Sequence, residues 1–307
     1  MYFEGSEKKI ELVLRKGSSP LRAETLRPFW RTVVSLSGAA ILSEIRNAHC
    51  DAYLLSESSL FVYDHKFVML TCGQTRLIEG IRYVLDLMGA DQVTFVSYER
   101  KDEHFPEAQF SDFDEDVALL QTYFPGQTHV LGDQYGHHVR LFHLDRGFDP
   151  DPGDHTLEIL MHGLPDPVCR QFFRSNQAEF ERDLGPKIRS LLADFQVDDY
   201  FFDPIGYSLN ALSGDRYFTV HVTPQDPFSF ASFETNAFLE GEVEDLVRRV
   251  LALFQPKTGM TLFFCPLTQI ERFGFPESIH HRTVHPLACG FGLHFGLFDP
   301  AFQGIRG

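Results

Sequence analysis

A run of small polar residues interrupts an apolar stretch near the start of the chain, and one of them could do chemistry. Residues 53–62 read YLLSESSLFV, with Ser-Glu-Ser-Ser at positions 56–59 between two strand-like flanks. Such a run breaks the alternation expected of a half-buried strand. It indicates either a tight turn whose hydroxyls bond their own backbone or a reactive serine. A serine hydroxyl in a strained turn can attack the carbonyl just before it and convert that peptide bond to an ester.

Other residue types suited to such a reaction recur along the chain. A cysteine follows a strand-like segment in Thr71-Cys72-Gly73, and a histidine stands within residues 219–224, TVHVTP. Histidine is the side chain best suited to act as a base near neutral pH. A thiol can donate a proton because its ordinary pKa lies only one or two units above neutrality. Taken alone, each residue is more often structural, as a buried thiol or a strand histidine.

These segments, together with residues 3–8 (FEGSEK) and residues 202–208 (FDPIGYS), keep a consistent order from about Phe3 to about Phe254. The set resembles the eukaryotic-type S-adenosylmethionine decarboxylases, a pyruvoyl-dependent family, whereas the residues after Phe254 match poorly. The resemblance implies an α+β fold, an αββα sandwich of two mostly antiparallel sheets with helices on the outside. It also implies a carboxy-lyase that decarboxylates S-adenosylmethionine to the aminopropyl donor for spermidine and spermine synthesis.

The resemblance further implies that the protein makes its own cofactor. Autocatalytic cleavage between Glu57 and Ser58 would give a small chain, residues 1–57, and a large chain, residues 58–307. Ser58 would become a covalent pyruvoyl group (pyruvate) at the start of the large chain. Its ketone would form a Schiff base with the substrate amine and accept the electrons left behind when CO₂ departs.

Residue roles are carried over from the family's motifs. His221 would remove the α-proton of Ser58, and Ser208 would stabilise the ester-forming intermediate by a hydrogen bond. Cys72 would protonate the product carbanion. The other expected active-site residues are the carboxylates Glu4 and Glu7 and the substrate-binding residues Phe3, Leu55, Glu57, Phe202 and Gln225.

Two features of the expected substrate site bear on specificity. Phe3 and Phe202 would sandwich the adenine near the positive sulfonium, which suits stacking and cation–π attraction. Gln225 stands where the family usually has a glutamate that binds the ribose hydroxyls. An amide can still bond a hydroxyl, but it lacks the strength of a charge-assisted hydrogen bond.

Some family members are activated by putrescine, a diamine that binds in a buried acidic cluster. Lys9 stands where those members tend to have an aliphatic residue and where members that need no putrescine carry a basic one. Lys9 lies two residues from an acid of the cluster, so on a strand both side chains point to the same face. We expect its ammonium to fill part of the cluster, with Glu99 and Arg100 nearby, and the enzyme to be active without putrescine. The matching acids are Glu11, Asp154, Glu158 and Glu234.

The order of predicted elements repeats after residues 147–154, GFDPDPGD, a loop rich in Gly, Pro and Asp. Residues 156–161 (TLEILM) resemble residues 9–14 (KIELVL), and a predicted hairpin around Gly214-Asp215 parallels one around Asp64-His65. We therefore predict an internal duplication. A single pyruvoyl-decarboxylase domain would consist of two similar halves, at about residues 1–150 and 154–307.

Composition narrows the class of protein. Of 307 residues, 43% are hydrophobic and 23% charged, which predicts a folded core. The net charge of −16 argues against nucleic acid and anionic membranes as partners, and no apolar run approaches the roughly 20 residues of a membrane span. Five scattered cysteines without a CxxC pair, and no signal-like segment, predict a reduced cytoplasmic protein. Adjacent histidines on a strand point to opposite faces, so we predict no metal site.

Two other functions stay open at this level. The same pyruvoyl chemistry could act on ornithine or arginine, since Gln225 departs from the family pattern and Glu99 stands where the family usually has Ser or Thr. A catalytically dead regulatory partner of an active decarboxylase is the other, and the four intact residues Ser58, Cys72, Ser208 and His221 argue against it. We expect a monomer or a homodimer of processed protomers.

Overall fold

The computed structural model describes residues 3–133, 136–238, 241–272 and 279–298. The chain divides into two compact units. The N-terminal unit consists of residues 6–148, and the C-terminal unit consists of residues 149–307 together with residues 1–5. Residues 3–5 thus belong with the second unit, whereas the predicted halves placed them in the first.

The described residues of the N-terminal unit form one antiparallel sheet of eight strands and three α-helices. The strands are β1 (Lys8–Leu14), β2 (Ile41–Arg46), β3 (Asp51–Leu55), β4 (Ser58–Val62), β5 (Lys66–Thr71), β6 (Val93–Lys101), β7 (Gly126–Gly132) and β8 (His138–Leu144). Their order in the sheet is β2-β3-β4-β5-β1-β6-β8-β7. The helices are α1 (Arg27–Leu36), α2 (Leu77–Met88) and α3 (Phe113–Gln121), with 3₁₀ turns at Glu24–Leu26, Ala90–Gln92 and Pro106–Ala108.

Helical spacing of apolar residues explains how these helices pack. Trp30 and Val33 of α1 and Ile81 of α2 are buried in one core with alternate residues of β1, such as Ile10 and Leu12. Alternate strand residues lie on one face of the sheet, so the helices cover that face. Helix α3 is fixed at its start by a capping box, in which Asp112 and Glu115 each accept a hydrogen bond from the other's backbone N–H.

In the part of the C-terminal unit that the structure describes, a second antiparallel sheet has eight strands. The strands are β9 (Thr156–His162), β10 (Gln196–Phe201), β11 (Tyr207–Ser213), β12 (Arg216–Thr223), β13 (Phe230–Thr235), β14 (Thr258–Pro266), β15 (Ile279–Pro286) and β16 (Phe291–Phe298). Their order is β10-β11-β12-β13-β9-β14-β16-β15. The helices are α4 (Asp166–Gln171), α5 (Gln177–Arg182), α6 (Gly185–Arg189) and α7 (Val243–Phe254), with 3₁₀ turns at Arg174–Asn176 and Leu267–Arg272.

The second sheet repeats the strand order of the first. Adding eight to each strand number of the first sheet gives the second sheet from one edge to the other. Strands β1 and β9, which carry the similar sequences KIELVL and TLEILM, occupy the same place. The predicted fold class is confirmed: an α+β protein with two antiparallel sheets, and their common strand order is what an internal duplication predicts.

One predicted correspondence is wrong. The hairpin at Gly214-Asp215 joins β11 to β12, so its counterpart by sheet order is the β3–β4 hairpin at residues 56–57. It is not the β4–β5 hairpin near Asp64-His65. Turn residues of similar type suggested the wrong pair, because turn chemistry is local whereas the place of a strand in the sheet is a tertiary property.

Across the ranges that the structure describes, no helix has the length and apolar character required to traverse a lipid bilayer.

Candidate active site

Ser58 is the first residue of β4 and directly follows the two-residue turn at positions 56–57. Its φ of +122° lies in a region that L-residues rarely adopt, at a cost of about 1–3 kcal/mol. The residue is 2% exposed, and its hydroxyl makes no hydrogen bond within the described part of the chain. Ser58 therefore combines a strained backbone with a hydroxyl that has no other hydrogen-bonding role there.

The carbonyl of Glu57, which the Ser58 hydroxyl would attack, is held by Cys72. The backbone N–H of Cys72 donates to the Glu57 oxygen at 3.0 Å, and the Cys72 Sγ lies 3.5 Å from the same oxygen. Cys72 reaches this position because it follows β5, whose last residue, Thr71, is the register partner of Ser58. Two donors on one carbonyl oxygen stabilise the negative charge that develops there during an addition.

Lys8 lies on the other side of β5, where it too is a register partner of Thr71. Its Nζ donates to the Gly73 carbonyl at 3.2 Å and to Gln109 Oε1 at 2.7 Å, and it lies 3.7 Å from Glu103. Burial lowers the pKa of this ammonium. Lys8 was not among the residues predicted from the sequence, although a lysine directly after the expected Glu7 was a usable signal.

The Glu57 carboxyl has a shifted pKa. Burial raises its pKa to about 7, and the positive charge of Lys8 opposes part of that shift. Leu55, the register partner of Ser58 on β3, is fully buried, and Glu7 is 2% exposed directly before β1. The ends of three neighbouring strands thus bring together four predicted residues, which are Leu55, Glu57, Ser58 and Cys72.

In the C-terminal unit, Ser208 and His221 are register partners across β11 and β12. Oγ of Ser208 lies 3.0 Å from Nδ1 of His221, and Oγ1 of Thr219 lies 2.8 Å from Nε2. Burial lowers the pKa of His221 to about 3. The imidazole is therefore neutral at ordinary pH and keeps a lone pair for proton transfer.

The residues expected to bind the nucleoside include one direct contact. The backbone N–H of Phe3 donates to Oε1 of Gln225 at 2.9 Å. Phe3 is 39% exposed, whereas Glu4 beside it is buried. Phe202 is half-buried and meets the Tyr200 ring edge-on, with 5.1 Å between centroids. Rings with exposed area can stack on a flat base.

The expected acidic cluster has members in both units. In the C-terminal unit, Glu158 and Glu234 are register partners, 1% and 2% exposed, and the Tyr217 hydroxyl donates to Glu234. Asp154 precedes β9 and accepts a hydrogen bond at 3.0 Å from the backbone N–H of Asp151. Two adjacent carboxylates shielded from water require protons or a cation.

In the N-terminal unit, Lys9 Nζ lies 3.9 Å from Glu99 Oε1, and Glu11 pairs with Lys66 at 3.6 Å. Lys101 Nζ bonds the other Glu99 oxygen at 3.0 Å. Arg100, which was expected beside Lys9, points to the opposite face.

The guanidinium of Arg100 pairs there with Asp116 and Glu103. Consecutive strand residues face opposite sides of a sheet, so Lys101 takes the place expected for Arg100.

Sequence comparisons with known proteins all point to the same family. The adenosylmethionine decarboxylase family model matches residues 1–283. A Caenorhabditis elegans S-adenosylmethionine decarboxylase proenzyme is 38% identical, covering 85% of this chain and 76% of that protein. A Dictyostelium discoideum S-adenosylmethionine decarboxylase proenzyme is 34% identical, covering 95% and 84%. The crystal structure of a Trypanosoma brucei AdoMetDC-delta26 monomer, at 22% identity, has a TM-score of 0.59 over 78% of this chain and 98% of that chain, and therefore shares the fold.

Proposed function

The chain belongs to the adenosylmethionine decarboxylase family and is a carboxy-lyase, and we propose that it acts on S-adenosylmethionine with a pyruvoyl group made from Ser58. The product would be the aminopropyl donor for spermidine and spermine synthesis. One observation carries the proposal: the strained Ser58, with its uncommitted hydroxyl, follows a carbonyl on which Cys72 places two donors. The name proenzyme, which both relatives above carry, fits a chain that cleaves itself.

Cleavage would begin when Oγ of Ser58 adds to the carbonyl carbon of Glu57. The Glu57 oxygen then carries negative charge, and the Cys72 N–H and thiol already lie against it. When the C–N bond between Glu57 and Ser58 breaks, the nitrogen takes the proton that the hydroxyl has lost. The product is an ester that links Glu57 to the Ser58 side chain.

The ester would then break by β-elimination. A base removes the α-proton of Ser58, the Cβ–Oγ bond breaks, and Glu57 leaves as a carboxylate that becomes the end of the small chain. Water replaces the nitrogen of residue 58, and ammonia is released. We assign the base to His221, because its buried imidazole stays neutral. The hydroxyl of Ser208 would donate a hydrogen bond to Oγ of Ser58, the oxygen that forms the ester.

The residues around position 58 fit a pyruvoyl group. Positions 55 and 58 are buried, which limits the access of water to a ketone there, and no described residue hydrogen-bonds the Ser58 oxygen. When present, the group supplies a ketone that holds the substrate amine and draws in the electrons of the breaking bond to the carboxyl. Cys72 would give its thiol proton to the carbon that has lost CO₂.

Recognition of the nucleoside would rest on the C-terminal unit. Phe3 and Phe202 would stack on the adenine, and Glu4 and the N-terminal unit's Glu7 would supply negative charge for a cationic substrate. Oε1 of Gln225 already accepts the Phe3 N–H. The amide nitrogen of Gln225 is then the group that would donate to a ribose hydroxyl.

We also propose that the enzyme needs no putrescine and that it is cytoplasmic. The Lys9 ammonium beside Glu99 supports an enzyme that is active without putrescine. The five scattered cysteines, all buried thiols, support a reducing, cytoplasmic location. We propose a monomer or a homodimer of processed protomers.

Two measurements test the function. Purified protein should separate into residues 1–57 and 58–307, the larger chain blocked at its N-terminus, while Ser58→Ala should stay one chain. Processed protein incubated separately with carboxyl-labelled S-adenosylmethionine, ornithine and arginine should release labelled CO₂ from the first alone.

A wild-type chain that remains at 35.1 kDa by intact mass after long incubation would rule out the pyruvoyl group. Release of label from ornithine or arginine would show that this amino acid is the substrate instead. Cleavage without release of CO₂ from any of the three would favour a regulatory subunit.

A further inference from the structure

Both ring nitrogens of His221 lie against hydroxyl groups of the same unit. Nδ1 is 3.0 Å from Oγ of Ser208, and Nε2 is 2.8 Å from Oγ1 of Thr219. Thr219 lies two residues before His221 on β12, so both side chains are on one face of the sheet. A neutral imidazole has one N–H, so one nitrogen donates and the other accepts. Which of the two holds the proton decides which can act as a base.

The other contacts of the Thr219 hydroxyl favour one answer. Its Oγ1 lies 2.9 Å from the Leu209 carbonyl oxygen and 3.0 Å from Oδ1 of Asn210. A carbonyl oxygen can only accept, and a threonine hydroxyl has a single proton to give. With that proton committed to the Leu209 or Asn210 oxygen, Thr219 faces His221 as an acceptor.

We propose that Thr219 is a positioning residue that fixes the tautomer of His221, with Nε2–H donating to Thr219 and the lone pair of Nδ1 serving as the base. This inference rests on the proposed self-cleavage, the reaction in which His221 takes a proton. Nδ1 accepts the α-proton of Ser58 while the Cβ–Oγ bond breaks and the Glu57 carboxylate leaves. The Ser208 hydroxyl, which donates to Nδ1 before the reaction, turns to the ester oxygen and exposes the lone pair. The assignment gives Ser208 and Thr219 opposite roles toward one ring.

The tautomer can be measured without any cleavage. In the uncleaved Ser58→Ala protein with ¹⁵N-labelled histidine, the His221 signals, identified by their loss in His221→Gln, should show a protonated Nε2 and an unprotonated Nδ1. Adding Thr219→Val should shift the population toward the Nδ1–H form, and Thr219→Ser should keep the original pattern. A protonated Nδ1 in the Ser58→Ala protein overturns the proposal, even if the valine variant does not fold.

Cleavage kinetics give the second readout. With Ser58 intact, Thr219→Val should slow elimination by about 10- to 100-fold, the factor expected when a buried hydrogen bond is left unmade, and should accumulate an ester that hydroxylamine cuts. Thr219→Ser should match the wild type. Unchanged elimination in Thr219→Val, with the tautomer also unchanged, overturns the role. A wild-type chain that never cleaves defeats the proposed function instead, and the tautomer measurement still decides the hydrogen bond.

Discussion

Two hairpins occupy equivalent places in the two sheets, and they differ in where the backbone adopts a positive φ. Residues 56–57 join β3 to β4, and residues 214–215 join β11 to β12, each as a two-residue turn between strands in the same register. In the second turn the positive φ falls on Gly214, at +64°, where glycine adopts it without strain. In the first hairpin it falls on Ser58, the residue directly after the turn, at +122°. One fold element thus stores strain beside the bond to be cut in one unit and avoids strain in the other.

The side chains near the two hairpins also differ, because those in the N-terminal unit are in unfavourable states and those in the C-terminal unit are hydrogen-bonded. The hydroxyl of Ser58 has no hydrogen bond in the described chain, and burial raises the pKa of Glu57 to about 7. On β11 and β12, Ser208, His221 and Thr219 form a continuous set of hydrogen bonds around a neutral ring. A group that reacts once can sit in an unfavourable state, whereas a base must be held in one orientation and one protonation state.

Replacing one reactive group from each unit should separate cleavage from turnover. His221→Ala should stop at an ester that hydroxylamine cuts, with elimination slowed at least about 100-fold, because no base then takes the α-proton of Ser58. Cys72→Ala keeps its backbone N–H on the Glu57 oxygen, 3.0 Å away. It should therefore still cleave, about tenfold more slowly, the effect of losing one ordinary hydrogen bond, but release little CO₂ from S-adenosylmethionine.

Intact mass and trapped CO₂ measure the two effects. Loss of cleavage in Cys72→Ala together with normal cleavage in His221→Ala would reverse the assigned roles.

Of the two equivalent strands, β1 carries a lysine where β9 carries an uncharged residue. Lys9 on β1 stands where β9 has Thr156, and its ammonium lies 3.9 Å from Glu99. Lys9→Leu should lower activity without putrescine by about fivefold or more, the lower end of a coupling between sites, and added putrescine should restore it. Lys9→Arg keeps the charge and should behave as the wild type does. Strong putrescine activation of the wild type, with an identical response in Lys9→Leu, would refute this role.

The strained hairpin should also make stability depend on pH. Burial raises the pKa of Glu57 from its ordinary 4.5 to about 7, so the folded chain binds this proton more tightly than the unfolded chain does. That stabilisation is complete below pH 4.5 and is lost as pH rises through 7. In Ser58→Ala protein, unfolding free energy should fall by about 1–2 kcal/mol from pH 5 to 8, less than full linkage because the carboxyl is partly exposed.

Urea unfolding at several pH values measures that slope. Glu57→Gln in the same background should flatten it, and Asp215→Asn, at the equivalent position of the other turn, is the matched control. An unchanged slope in Glu57→Gln would show that another group causes it.

Backbone strain at the first hairpin should appear as a difference between two substitutions. Ser58→Gly should be more stable to urea than Ser58→Ala by about 1 kcal/mol, because glycine accepts a positive φ. Arg216 is the equivalent residue after the second turn and has no positive φ. There the order should reverse, with Arg216→Ala more stable than Arg216→Gly. The same sign at both positions would mean that Ser58 is not strained.

Much of the fold could be predicted from local patterns. Apolar residues at helical spacing are a local mark of α2, the capping residue Asp112 is a local mark of the start of α3, and the likeness of KIELVL to TLEILM indicated the duplication. The motifs also identified the serine, cysteine and histidine that the structure places at strand ends and in buried positions. Each of these signals lies within a few residues of chain, and such signals depend on side-chain period and turn chemistry alone.

Only the tertiary structure showed that Lys8 and Ser58 flank Thr71 from two strands, that Lys101 rather than Arg100 accompanies Glu99, and that the β3–β4 hairpin is the true counterpart of the β11–β12 hairpin. It also placed the positive φ on Ser58. Sheet register and the backbone angle beside a turn depend on pairing between strands, and some of these strands lie far apart in sequence, as β1 and β5 do. A one-residue change of register moves every side chain to the opposite face, and no local pattern contains that information.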